Sequence, residues 1–174
     1  MALDDLIADW QAPLWDIYPE NVSVNGPVEN IRYDGGPVVS TDSHFAAPRV
    51  FIPVFPGTNC EYDSVKAFEN AGAKAVTTIF RNQSAQDISR SIDEMAAQIR
   101  ASQMIMIPGG FSAGDQPNGS GKFIASVFRN PKMMDAVMDL LNNRDGLVLG
   151  ICNGFQALIK LGLVPNGEIC EITE

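Results

Sequence analysis

The sequence predicts an α/β fold with a doubly wound, mostly parallel sheet and helices on both faces, in three α/β/α layers. Three observations carry this expectation. From Arg49 onward, short apolar runs alternate with amphipathic stretches of helical period, the pattern of buried parallel strands joined by helical crossovers. The two most unusual loops, at residues 108–115 and 150–154, follow apolar runs, where the C-terminal ends of parallel strands carry functional groups. The composition, 45% hydrophobic and 19% charged over 174 residues, suits one ordinary core and is too apolar for a disordered chain.

Residues 1–48 differ from the rest. Pro13, Pro19, Pro27, Pro37 and Pro48, with the turn-like Asp34-Gly35-Gly36-Pro37, predict extended connections, a linker or interdomain segment, with one short helix over 2–10. Trp10, Leu14, Trp15 and Tyr18 make part of this segment apolar enough to pack against something. Residues 49–55 then read as the first buried strand. After a loop at 56–60, residues 61–71 form a helix with Val65 and Phe68 facing inward and Gly72 as its stop. Residues 75–80 are a second strand, β-branched at Val76, Thr77, Thr78 and Ile79.

A helix over 85–101 places Ile88, Ile92, Met95 and Ile99 on one stripe. Residues 104–107 are the third strand, and the loop at 108–115 is too rich in glycine for an ordinary strand-to-helix connection. Helical patterns cover 123–128 and 133–141, residues 146–150 are the fourth strand, and a helix over 155–161 ends at Gly162. Residues 164–174 hold strand-like pieces and no helix signal. The order β-α-β-α-β-α-α-β-α is a run of right-handed crossovers, which winds a sheet in both directions.

Bulk chemistry excludes several functions. A net charge of −9 repels nucleic acid and anionic membrane surfaces. No apolar run approaches the roughly 18 residues of a membrane span, and the acidic start lacks the basic region of a signal peptide, so a cytoplasmic location is expected. The three cysteines, Cys60, Cys152 and Cys170, show no metal-ligand spacing, so neither a disulfide framework nor a metal site is expected. The one histidine, His44, lies in the proline-rich segment and is a poor candidate for a catalytic base.

Leu149-Gly150-Ile151-Cys152-Asn153-Gly154-Phe155 has the form G-x-nucleophile-x-G between a buried strand and a helix. This is the logic of a nucleophile elbow, in which small flanking residues let the chain turn sharply and hold the nucleophile at the top of the sheet. The start of the following helix favours a thiolate, and its unpaired N–H groups can hold an oxyanion. The plainer alternative makes Cys152 a small buried residue and the two glycines packing devices. Gly109 and Gly110 after the third strand are candidates for the second half of an oxyanion hole, and Asn59 for the pocket edge. Cys60 could border the pocket beside Asn59, but it and Cys170 read as buried thiols, because neither sits in an elbow.

On these residues, the stretch from about 50 to 169 resembles the class I glutamine amidotransferase domain of the phosphoribosylformylglycinamidine synthase family. The matching segments are Pro56-Gly57-Thr58-Asn59-Cys60, Pro108-Gly109-Gly110-Phe111-Ser112-Ala113-Gly114-Asp115, and residues 149–156 from Leu149 to Gln156. The elbow is common to class I amidotransferases, whereas the glycine-rich loop and the Cys-Asn-Gly elbow point to this synthase family. The resemblance implies a flavodoxin-like sheet and a glutaminase in which Cys152 attacks the side-chain amide of glutamine, ammonia leaves, and water releases glutamate from the thioester. It also implies oxyanion and substrate contacts from Gly109, Gly110, Phe111, Asn153 and Gly154, with Asn59 and Gln156 at the pocket edge.

The implied partners are glutamine and the synthetase domain of the same enzyme, which uses ATP and magnesium to amidate formylglycinamide ribonucleotide in purine biosynthesis. No cofactor is implied for this part, and neither nucleic acid nor membrane is a partner. Ala113 stands where a tyrosine is expected in many relatives. The family's histidine and glutamate lie well downstream of the elbow, and no histidine follows Cys152. Residues 49–174 are therefore expected to be the N-terminal part of such a domain, lacking turnover by itself, with an incomplete sheet face that favours self-association. Two other readings share the fold. One is a non-catalytic interaction module, and the other is a DJ-1-like cysteine hydrolase, which predicts a Glu or His where Phe55 and Gly109 stand.

Overall fold

The computed structural model describes residues 2–14, 17, 32, 35–36, 45–112, 114 and 121–171. The chain divides into two units, Met1–Asp42 and Ser43–Glu174. In the first, α1 spans Leu3–Gln11 and runs into a 3-10 turn at Ala12–Leu14. The Asp5 carboxylate accepts a hydrogen bond from the Ala2 N–H at 3.2 Å, which satisfies one of the orphan donors of the helix start. Leu3, Leu6, Ile7 and Trp10 are all exposed, Trp10 by 81%. The Leu14 side chain, Trp15, Tyr18 and His44 lie outside the described residues.

In the second unit, four strands, β1 (Arg49–Val54), β2 (Lys74–Ile79), β3 (Met104–Ile107) and β4 (Leu147–Gly150), pair in parallel in the order β2-β1-β3-β4. Between and after them run α2 (Glu61–Asn70), α3 (Ala85–Arg100), α4 (Lys122–Phe128), α5 (Pro131–Asn142), α6 (Asn153–Leu161) and α7 (Leu163–Asn166). Local chemistry sets the boundaries. The Ser84 hydroxyl accepts from the Asp87 N–H at the start of α3, and the Asn130 side chain accepts from the Lys132 N–H ahead of α5, with Pro131 in the first turn. Gly162, at φ 89°, closes α6 in the left-handed region that glycine enters without a steric penalty.

Register decides which side chains share a face. Val50 pairs with Met104, and Met104 with Leu147, so Val50, Ile52, Met104, Met106, Leu147 and Leu149 point to one side. There α2 covers Val50, Ile52 and Met106 with Val65 and Phe68. The opposite side carries Phe51, Ile105 and Ile107 beneath α3 to α6, and this is the larger core, with Met95, Ile99, Ile124, Phe128, Met133, Val137, Leu140 and Leu161 fully buried. The expected doubly wound arrangement with helices on both faces is therefore present. Coverage is unequal, since Leu147 and Leu149 on β4 are exposed.

Two expectations need correction. Residues 164–174 do not hold only strand-like pieces, because α7 occupies Leu163–Asn166. Pro165 fits its single turn, since a proline in the first turn of a helix gives up no hydrogen bond. The helix after β4 also begins at Asn153 rather than 155, which moves its start directly behind Cys152. Among the described residues no helix is long and apolar enough to cross a membrane.

Candidate active site

The site is assembled from three loops at the C-terminal ends of β1, β3 and β4. At β4, the ladder persists for one residue past the strand, the Ile151 N–H donating to the Ile107 carbonyl at 3.1 Å. The chain then turns through Cys152 at φ 51° and ψ −108° and enters α6. A Cβ on Gly150 would lie 2.7 Å from the Gly154 carbonyl, and one on Gly154 would lie 2.1 Å from the Ile107 carbonyl oxygen. The first turn of α6 thus presses on the backbones of β3 and β4, and only glycine fits at these two positions. The result is a thiol held out at the sheet rim. Cys152 is exposed, so the reading that made it a small buried residue fails.

The loop after β3 lies beside this thiol. A Cβ added to Gly109 would stand 3.5 Å from the Cys152 Cβ. Gly110 has φ 129°, and any side chain there would meet the Gly57 carbonyl oxygen at 2.4 Å and the Asn59 nitrogen at 2.6 Å. That close approach exists because the loop after β1 pairs with this one. The Asn59 N–H donates to the Gly109 carbonyl, and the Phe111 N–H donates to the Gly57 carbonyl, both at 2.8 Å. Thr58 stiffens the β1 loop in turn, its hydroxyl accepting from the Phe55 N–H at 2.9 Å.

A buried polar pair ties the β3 loop to the elbow. The Ser112 hydroxyl donates to the Asn153 Oδ1 at 2.6 Å and the Ser112 N–H to the same oxygen at 3.3 Å. The Asn153 Nδ2 donates to the Gln156 Oε1 at 3.4 Å. Ser112 is 1% and Asn153 2% exposed. Neither the Gly110 nor the Asn153 N–H is hydrogen-bonded to an acceptor among the described residues, and both belong to backbone that flanks the thiol. A thiol and backbone N–H groups without a backbone acceptor are the parts an acyl-transfer site needs.

Cys152, Gly109, Gly110, Asn153 and Gly154 come together at the junction of the β3 and β4 loops, with Gly109, Asn153 and Gly154 buried and Gly110 partly so. Phe111, 63% exposed, and Gln156 lie on its outer edge, and Asn59 is exposed on the β1 loop that braces it. Ala113 and Asp115 lie outside the described residues. Phe55, where a hydrolase base would stand, is 2% exposed among Phe80, Phe123 and Phe128.

The expectation that Cys60 is buried is overturned. It is exposed at φ 68° and caps the start of α2, its carbonyl accepting from the Ser64 hydroxyl at 2.7 Å. Cys170 is only partly covered and receives the Asn166 amide at 3.2 Å. Sequence reasoning passed over Gly57, Thr58 and Ser112 as site builders. Gly57 and Ser112 act on partners 41 or more residues away, which no local pattern announces.

Fold and site together define a class of protein, and the sequence comparison agrees. The chain matches the CobB/CobQ-like glutamine amidotransferase domain over residues 47–174 and belongs to that family. More particularly, it is similar to phosphoribosylformylglycinamidine synthase subunit PurQ of Methanococcus maripaludis, 36% identical over 118 residues that make up 67% of this chain and 39% of the relative. The same subunit of Dehalococcoides mccartyi is 32% identical over 126 residues, and that of Cereibacter sphaeroides 39% over 115 residues, covering 44% and 43% of those relatives. The chain thus spans about two fifths of the length of the curated relatives it matches. Among solved structures, PurLQS from Thermotoga maritima aligns over 67% of this chain and 45% of that chain at 29% identity, with a TM-score of 0.47.

Proposed function

We propose that the chain is the nucleophile-bearing part of a glutaminase that supplies ammonia to a phosphoribosylformylglycinamidine synthase. The observation that carries the reading is the exposed Cys152 in a strained turn at the start of α6, with the glycine backbone of the β3 loop packed beside it. The thiolate sulfur adds to the amide carbon of glutamine, and the oxygen becomes an oxyanion held by the N–H groups of Gly110 and Asn153. Collapse of that adduct expels ammonia once the nitrogen is protonated, leaving a γ-glutamyl thioester. Water then attacks the thioester carbon, and glutamate and the thiol are regenerated.

Residues 49–174 are read as the amidotransferase segment and 1–48 as the segment joining it to a neighbour. By its family's logic the proton donor is a histidine downstream of the elbow, and none follows Cys152 in these 174 residues. The chain by itself is therefore expected to capture an electrophile once rather than to turn over. ATP and magnesium belong to the synthetase partner in this reading, and among the described residues no three His, Cys, Asp or Glu side chains gather to hold a cation.

The test is labelling with 6-diazo-5-oxo-norleucine, a glutamine analogue whose diazoketone carbon alkylates the sulfur with loss of nitrogen, followed by peptide mass spectrometry. The reading expects one adduct, on Cys152. Iodoacetamide is the control and should also modify Cys60, which is exposed as well. Equal labelling of Cys60 and Cys152 by the glutamine analogue sinks the proposal.

A further inference from the structure

Two of the three loops at the site are joined by backbone hydrogen bonds, and beyond the Ile151–Ile107 bond at the end of the sheet the third is held to them through the Asn153 side chain. We infer that the buried Ser112–Asn153 pair is a clamp that sets the distance between the two halves of the oxyanion site, so that both are positioning residues for glutamine attack. The inference rests on the glutaminase reading of Cys152 and adds to it the device that holds the donors in register.

The β1 loop holds residues 109–111 from one side through the Asn59 and Phe111 hydrogen bonds. On the α6 side, the polar connection runs from Ser112 to Asn153. The chemistry of the pair is directional. A backbone N–H can only donate, so the Ser112 N–H requires an oxygen opposite it, and Asn153 Oδ1 supplies one that accepts the hydroxyl as well. The remaining amide donor of Asn153 reaches Gln156 on the next turn of α6, which fixes the orientation of the amide. Asn153 therefore does two jobs from one residue. Its N–H is a candidate oxyanion donor, and its side chain grips the loop that carries the other donor, Gly110. Oxyanion donors act only within a narrow distance range, so slack between the two loops weakens both.

The full 174-residue chain is compared as wild type, Ser112→Ala and Ser112→Thr. Labelling of Cys152 by 6-diazo-5-oxo-norleucine is expected to slow about tenfold or more in Ser112→Ala, while iodoacetamide labelling of Cys152 and Cys60 stays within about twofold, because the thiol itself is untouched. Ser112→Thr keeps the hydroxyl and restores most of the lost rate. Independently of any glutamine chemistry, hydrogen exchange of the amides at Phe111 and at position 112 should quicken in Ser112→Ala and be protected again in Ser112→Thr.

Unchanged exchange in Ser112→Ala overturns the clamp, as does an equal slowing of both reagents at Cys152, which signals loss of the elbow rather than loss of register. A wild-type chain that reacts with the glutamine analogue no faster at Cys152 than at Cys60 refutes the glutaminase reading alone, and the exchange data then decide the clamp.

Discussion

At Cys152 the backbone occupies φ 51° and ψ −108°, a region that costs a residue with a Cβ about 1–3 kcal/mol. The neighbouring glycines absorb the crowding but not this torsional cost. Cys152→Gly is therefore expected to raise the free energy of unfolding by about 1 kcal/mol while abolishing the adduct with the glutamine analogue, as urea titration and mass spectrometry will show. A fall in stability would mean that the turn is not strained. The G-x-C-x-G spacing made this residue legible before any coordinates, since the pattern is local and the strain is a property of adjacent residues. Ser112 was not legible in the same way, because its partner Asn153 is 41 positions distant. Cys60 was misread because exposure is decided by neighbours that a single loop does not reveal.

Among the elements, α6 and α3 show how helix ends are held. The first turn of α6 lies on β3 so closely that a methyl group on Gly154 would meet the Ile107 oxygen at 2.1 Å. Gly154→Ala should cost about 3 kcal/mol by forcing the helix outward, with the midpoint of urea unfolding as the measure and an unchanged midpoint as the refuting result. At the far end of α3, Arg144 donates to the carbonyls of Ile99, Arg100 and Ser102 at 2.9–3.1 Å, satisfying acceptors that the last turn leaves open. Asp139 orients that guanidinium, accepting from its Nε at 2.9 Å.

The Asn143 amide hydrogen bond, followed by the Arg144 charge, holds the Asp139 carboxyl below the ordinary aspartate value of 3.8. A carboxylate depressed in the folded state stabilises above its unfolded value, and that contribution is lost as pH falls through the folded one. Asp139→Asn should accordingly lower the unfolding midpoint at pH 7, with the difference from wild type shrinking below pH 3.8. A difference independent of pH would dismiss the ionic contribution. The extents of α3 and β3 were readable from apolar period alone, whereas the cap by Arg144 was not, since it joins the turn before β4 to a helix 42 or more residues earlier.

Over the whole molecule, every buried apolar side chain among the described residues falls between Val50 and Leu161. The unit Ser43–Glu174 is therefore expected to fold without residues 1–42 as one cooperative α/β domain. Circular dichroism should show a single thermal transition for the shortened chain, within about 4 °C of the full chain, the shift that roughly 1 kcal/mol produces in a domain of this size. Loss of the transition would show that the core depends on the earlier segment. The face of β4 that bears Leu147 and Leu149 remains uncovered by α2, and the open apolar groove of about 440 Å3 between Phe68, Met106, Leu149 and Ile151 follows from that shortfall.

Apolar runs, helical periods and the elbow spacing were enough to specify four parallel strands, the helices between them and the thiol at the end of the last strand. These are contests between adjacent residues and solvent, and adjacency is what a sequence records. Packing alone decided that Gly57, Gly110 and Asn59 interlock, that Ser112 meets Asn153, and that Cys60 stays in water. Those outcomes depend on where separate strands bring their loops to rest, which burial of the common sheet settles for all of them at once.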